Sequence, residues 1–177
     1  MGDIANVQLG VQKLTYGDEA LGHTNGGCEF GYEPEYTDII VDLYGNTPVD
    51  KALTGEVVRV TVPLAEITLD KLKMAIPTGT VVEDAVEGKR KLTFGSIAGK
   101  KLSATAQKLV LHPSWLPDTD MSFDITLHKA VITSEVSLNY TKDEQTVYEV
   151  EFTALIDESQ EEGGLLAVIG DTTVVAI

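Results

Sequence analysis

The sequence predicts a mainly β fold with one short amphipathic helix. Three observations lead there. Apolar residues recur with period two in segment after segment, clusters of Gly, Pro, Asn and Asp separate those segments, and a single stretch shows helical spacing. A chain of 177 residues with 43% hydrophobic residues fits one domain and can bury well over half of its unfolded surface. The predicted domain spans 1–177, with an acidic hairpin at about 28–45 and a flexible tail at about 158–177.

In the first segment Val7, Leu9 and Val11 alternate with Gln8, Gly10 and Gln12. After a glycine-rich loop, Cys28, Phe30 and Tyr32 oppose Glu29, Gly31 and Glu33. Thr37, Ile39, Val41 and Leu43 then share a face opposite Asp38 and Asp42. In TGEVVRVTVPLAEITLDKL, Val58, Val60, Val62 and Leu64 form one face of a half-buried strand, with Val57, Arg59 and Thr61 opposite, and Pro63 marks an edge or a strand end. Thr68 is an N-cap for a helix whose Leu69, Leu72 and Ile76 fall at i, i+3 and i+7, and Pro77 and Gly79 stop it.

Further strands are predicted at 101–111, with a bulge where parity changes near Gln107 and Lys108, and at 123–127. Ala130, Ile132, Val136 and Leu138 mark another strand, joined through a TKDEQ hairpin to one carrying Tyr148, Val150, Phe152 and Ala154. A joint at Gly163 and Gly164 precedes a last strand.

Thirteen Lys and Arg stand against 28 Asp and Glu, a formal charge of −15, which argues against tight binding to nucleic acid or an anionic membrane. The acidity is segregated. No base separates Lys13 from Lys51 and none follows Lys142, and these two segments hold 17 of the 28 acids. Glu29, Glu33, Asp38, Asp42, Glu149 and Glu151 fall on polar strand faces and are candidates to pave one surface of a sheet; a merely solvated face is the plain alternative. Bases gather at Lys89, Arg90, Lys91, Lys100, Lys101 and Lys108, poised to meet acids of a neighbouring copy or simply to solvate a hairpin.

No catalytic constellation, cofactor motif or metal site is expected. His23, Cys28, His112 and His128 are too scattered for zinc, and DTDMSFD lacks the Gly and Glu of a calcium loop. GSIAGKK is one residue short of a phosphate loop, and Ser96 lacks the elbow glycine pattern. The single Cys28 gives no intramolecular disulfide, and the acidic start gives no signal peptide, so folding in a cytoplasm and no membrane anchor are expected. Trp115 within LHPSWLP reads as a core or contact anchor. The alternative is a monomeric β-sandwich binding carbohydrate through Trp115 and nearby tyrosines; a hydrolase using dispersed carboxylates is a third option.

The order of parts resembles the tail tube (major tail) proteins of long, non-contractile-tailed bacteriophages. The parts are a short first strand, a glycine-containing loop, the acidic hairpin CEFGYEPEYTDIIVDLYGN, then VDKALTGEVVRVTVPLAEITLDKLKMAIP as strand into helix, late strands, and a GG-hinged tail. The resemblance implies an antiparallel β-sandwich or split-barrel subunit with one short flanking helix, a structural virion protein without enzymatic activity that is assembled in the host cytoplasm. In that family six subunits form a ring around an inner β-barrel, and the rings stack into a tube that DNA transits without specific binding. Tape-measure and tail-terminator proteins are the implied partners. In that setting the acids listed above line the lumen, and Lys89, Arg90, Lys91, Lys100 and Lys101 lie between subunits.

Overall fold

Ten strands and one α-helix make up the regular structure of the computed structural model, which describes residues 10–95 and 97–174. The strands are β1 (Gln12–Tyr16), β2 (Glu19–Ala20), β3 (Glu29–Ile40), β4 (Pro48–Leu64), β5 (Thr80–Glu83), β6 (Arg90–Thr93), β7 (Gln107–Pro113), β8 (Ile125–Ile132), β9 (Tyr148–Ala154) and β10 (Ala167–Ile169). Helix α1 covers Leu69–Ala75. All pairings are antiparallel. The main sheet runs β2-β1-β7-β8-β9-β4-β3, with β10 also on β8, and β5 with β6 forms a separate hairpin.

The sheet curls around its apolar face. β1 and β9 are three strand steps apart, about 14 Å on a flat sheet at ~4.8 Å per step. Yet the Tyr16 and Phe152 rings lie 5.0 Å apart, and the Tyr16 hydroxyl donates to the Ala130 carbonyl at 3.1 Å. The chain bridges the remaining gap itself: Leu21 N–H donates to Leu14 O, Ala65 N–H to His23 O and Asn25 N–H to Pro63 O. The result is a split barrel, because the strand path has two ends, β2 and β3.

The predicted parity of β4 is the one observed: Val58, Val60, Val62 and Leu64 are all buried and join Leu109, Leu111, Leu127, Tyr148, Val150 and Phe152 in one core. Thr68 caps α1 by accepting from Lys71 N–H at 3.2 Å, as its place before the apolar repeat predicts. The helix buries Ala75 and lays Leu72 and Met74 on that core, while Leu69 and Ile76 are half-buried. It is too short to cross a membrane, and no helix among the described residues is long and apolar enough to do so.

Several expectations change. Val7 and Leu9 of the expected first strand lie outside the described residues; the observed strand starts at Gln12, and Val11 is exposed. The two segments expected around 28–43 are one strand ending at Ile40, and Asp42 and Leu43 sit in a 3-10 turn. Residues 102–105 form another 3-10 turn ahead of β7, and the expected irregularity is present as a register shift between Gln107 and Leu109. The strand expected to reach Leu138 stops at Ile132. Residues 133–147 are a long connection to β9, with Thr141 and Thr146 bonding backbone carbonyls around TKDEQ. Val136 and Leu138 still pack on the core, so their alternation reported burial and not sheet pairing. One more strand does follow Gly163 and Gly164, and Gly170 N–H behind it donates to Asp124 O at 2.7 Å.

Tyr148 makes the fold sensitive to alkali. Its ring is buried and its hydroxyl donates to the Glu66 carbonyl at 3.1 Å. Burial, with a smaller push from the Glu66 charge, raises the phenol to about 12 from an ordinary 10.0. Because the folded value lies above the unfolded one, this contribution is full below pH 10 and is lost as pH rises to about 12. Tyr148→Phe is expected to cost about 1 kcal/mol at pH 7 and to flatten the loss of stability above pH 10, read from urea midpoints at stepped pH.

Candidate assembly surface

Two strands leave the body of the protein as an arm. β3 pairs with β4 over its whole length, but β9 reaches only Arg59–Leu64 of β4. Residues 48–58 of β4 therefore have β3 on one side and no strand on the other, and the outer edge of β3 has no partner among the described residues. An isolated two-stranded hairpin is marginal in water, and an open edge is a template for pairing. Internal links hold the arm together: Arg59 to Glu33 at 2.9 Å, Lys51 to Asp38 at 2.7 Å, Tyr32 to Glu56 at 2.5 Å, and the Thr54 hydroxyl to the Glu35 carbonyl at 3.2 Å. Exposed pairs of this kind contribute little each.

The arm also exposes apolar side chains. Tyr36, Ile39, Ile40, Val41, Leu43, Tyr44, Val49 and Leu53 are all exposed, Leu43 to 82%. A concentration of this size on one element is the signature of a contact surface.

One face of the β3-β4-β9 portion is acidic. Glu29 lies opposite Thr61 of β4, which lies opposite Glu151 of β9; Glu33 lies opposite Val57, and Glu149 opposite Pro63. By alternation Glu29, Glu33, Glu149 and Glu151 share this face, with the apolar core on the other. Its one cation among the described residues, Arg59, was legible from the sequence as lying opposite the apolar face of β4 but was not joined to the acids. Arg59 lies between Glu33 at 2.9 Å and Glu151 at 3.9 Å, and its shared parity with Thr61 was the available signal. Asp38 falls on the opposite face of the arm beside Lys51, and Asp42 sits in the turn at the tip.

No protein-family model matches the chain, and a search of curated proteins finds no match. A search of solved structures finds similarity to the anti-feeding prophage cap, described as its tube terminating cap, at 12% identity. The alignment covers 83% of this chain and 88% of that one, with a TM-score of 0.40.

The predicted basic cluster is split by its local partners. Lys89 contacts Glu87, and Arg90 reaches Asp70 at 2.6 and 3.1 Å and Glu83 at 3.7 Å, tying the β5–β6 hairpin to the first turn of α1. The Arg90 guanidinium holds the Asp70 carboxyl below its ordinary range. Lys91, Lys100, Lys101 and Lys108 form no ion pair among the described residues, and Lys100 donates only to the Pro77 carbonyl.

Other candidates resolve into structural roles. His112 Nδ1 meets Asp124 Oδ1 at 2.7 Å in a largely buried pair that ties the 114–124 loop to β7. This pair was not foreseen, since its members are twelve residues apart across a loop. Trp115 packs on Phe123 with ring centroids 5.9 Å apart, and both side chains are exposed, so Trp115 is not part of the core. Ser96 lies outside the described residues. Among the described residues no three His, Cys, Asp or Glu side chains gather as a metal site. A groove of about 600 Å³ between α1 and the β1–β2 turn is lined by both signs of charge, Asp18, Glu19 and Asp70 against Lys73 and Lys108, over Tyr16 and Met74.

Proposed function

We propose that this chain is a structural subunit that assembles with copies of itself into rings, sixfold as in the family the sequence resembles, stacked as the tail tube of a long, non-contractile-tailed bacteriophage. The observation that carries this reading is the β3–β4 arm. It projects with unpaired edges and exposed apolar side chains, and these are the groups that sister copies satisfy when a heterologous contact closes by rotation. The acidic face supplies the second part of the reading. Glu29, Glu33, Glu149 and Glu151, relieved only by Arg59, turn toward a central conduit and repel transiting DNA over about one Debye length, roughly 8–10 Å. In this role the protein catalyses nothing, assembles in the host cytoplasm and ends in the virion, with tape-measure and terminator proteins as its neighbours.

Light scattering and negative-stain microscopy across rising protein concentration test the reading. Rings and tubes are the expected products. A 19.0 kDa particle at every concentration, with no growth from preformed ends, contradicts it.

A further inference from the structure

The arm and the segment that follows α1 carry opposite charge. Residues 33–53 of the arm hold five acids and one base, whereas residues 80–101 hold five bases and three acids. Local pairing cancels much of this. Glu33 is taken by Arg59 and Asp38 by Lys51; Lys89 is taken by Glu87 and Arg90 by Asp70 and Glu83. What remains without an ion pair among the described residues is Glu35, Asp42 and Asp50 on the arm, and Lys91, Lys100 and Lys101 against the single acid Asp84 on the segment around β6. Apolar exposure follows the same division: Leu43 (82%) and Tyr44 (59%) at the arm tip, Phe94 (67%) and Ile97 (56%) beside the bases.

These surfaces cannot meet within one chain. β4 has 17 residues, about 50 Å of strand at ~3.3 Å per residue, and is paired with β3 for most of that length. The Arg90–Asp70 pair fixes the basic segment to α1, just beyond Leu64. Complementary surfaces held apart on one subunit make a head-to-tail contact between copies.

We propose that the arm of one copy seats on β6 and on Phe94, Ile97, Lys100 and Lys101 of the next, with Glu35, Asp42 and Asp50 facing Lys91, Lys100 and Lys101 around an apolar centre of Leu43, Tyr44, Phe94 and Ile97. This contact rests on the self-assembly reading and specifies which surfaces join.

Two charge reversals test it, E35K/D42K/D50K on the arm and K91E/K100E/K101E on the basic segment. Each alone places like charges across the contact and is expected to raise the concentration needed for assembly at least ~100-fold, with the monomer's melting unchanged. An equimolar mixture is expected to assemble near the wild-type concentration, because each variant's arm then matches the other's basic segment. Zero-length carbodiimide cross-linking of the assembled wild type is expected to join these lysines to these acids between chains. The contact is overturned if the reversals assemble like wild type, if two well-folded variants do not rescue each other, or if inter-chain cross-links form only elsewhere; assembly of the wild type in those cases leaves the tube reading standing. A wild type that never assembles removes both.

Discussion

Leu43→Asp combined with Tyr44→Asp is expected to abolish assembly while the monomer melts as before. Both side chains sit in the 3-10 turn at the arm tip, largely exposed, and no side-chain hydrogen bond involving either is present among the described residues. Removing them from the isolated subunit therefore changes little, within about 0.5 kcal/mol. In an assembled contact each contributes about 1.5–3 kcal/mol of apolar burial. A carboxylate in its place adds a desolvation cost and repels the neighbouring Asp42. The weakening amounts to at least ~100-fold in the concentration at which rings appear, since about 1.4 kcal/mol is a factor of ten. Sedimentation of assembled from free protein, with calorimetric melting as the control, reads both halves of this expectation.

Phe152→Ala is expected to produce the largest loss of stability of any single core truncation. Phe152 is completely buried in β9, between β8 and β4, and its ring meets Tyr16 from the far side of the curled sheet. It joins the two walls of the split barrel, so its removal leaves a cavity at the place where they meet. Such truncations cost about 3–5 kcal/mol. Against a typical total of about 5–15 kcal/mol, the variant is near its unfolding threshold. A urea titration should show a lowered midpoint at unchanged slope; a shift under 1 kcal/mol would mean that Tyr16 and Phe152 do not join the walls.

The inner half of β4 and the helix were legible because local rules and tertiary burial agree there. Val58, Val60, Val62 and Leu64 alternate into the core, and Thr68, Pro77 and Gly79 bound α1. The outer half of β4 was not legible. PVDKALTGEV has no alternation to read, because neither face of the arm is buried in the chain and register shifts fall between Glu35 and Tyr36 and between Ile39 and Ile40. Those residues become strand through pairing with β3, a non-local interaction that single-strand periodicity does not register. Amphipathic alternation at 135–139 misled in the other direction, since Val136 and Leu138 reach the core from a connection without sheet partners.

The acidic surface was partly legible for the same reason. Glu29, Glu33, Glu149 and Glu151 share a face because β3, β4 and β9 pair in continuous register there. Asp38 and Asp42 lie beyond the first register shift, one facing the other side beside Lys51 and one in the terminal turn. In the proposed conduit the first four acids set the field along the wall, and Arg59 limits it.

Amide hydrogen exchange along Glu29–Ile40, compared between dilute monomer and assembled protein, is the most direct check on whether sister copies satisfy the open flank. The outward-pointing amides of β3 should exchange rapidly in the monomer and become protected by at least ~100-fold in the assembly, while the core amides of β9 change little. Outward amides that stay equally fast in both states, or that are already protected in the monomer, would contradict the account.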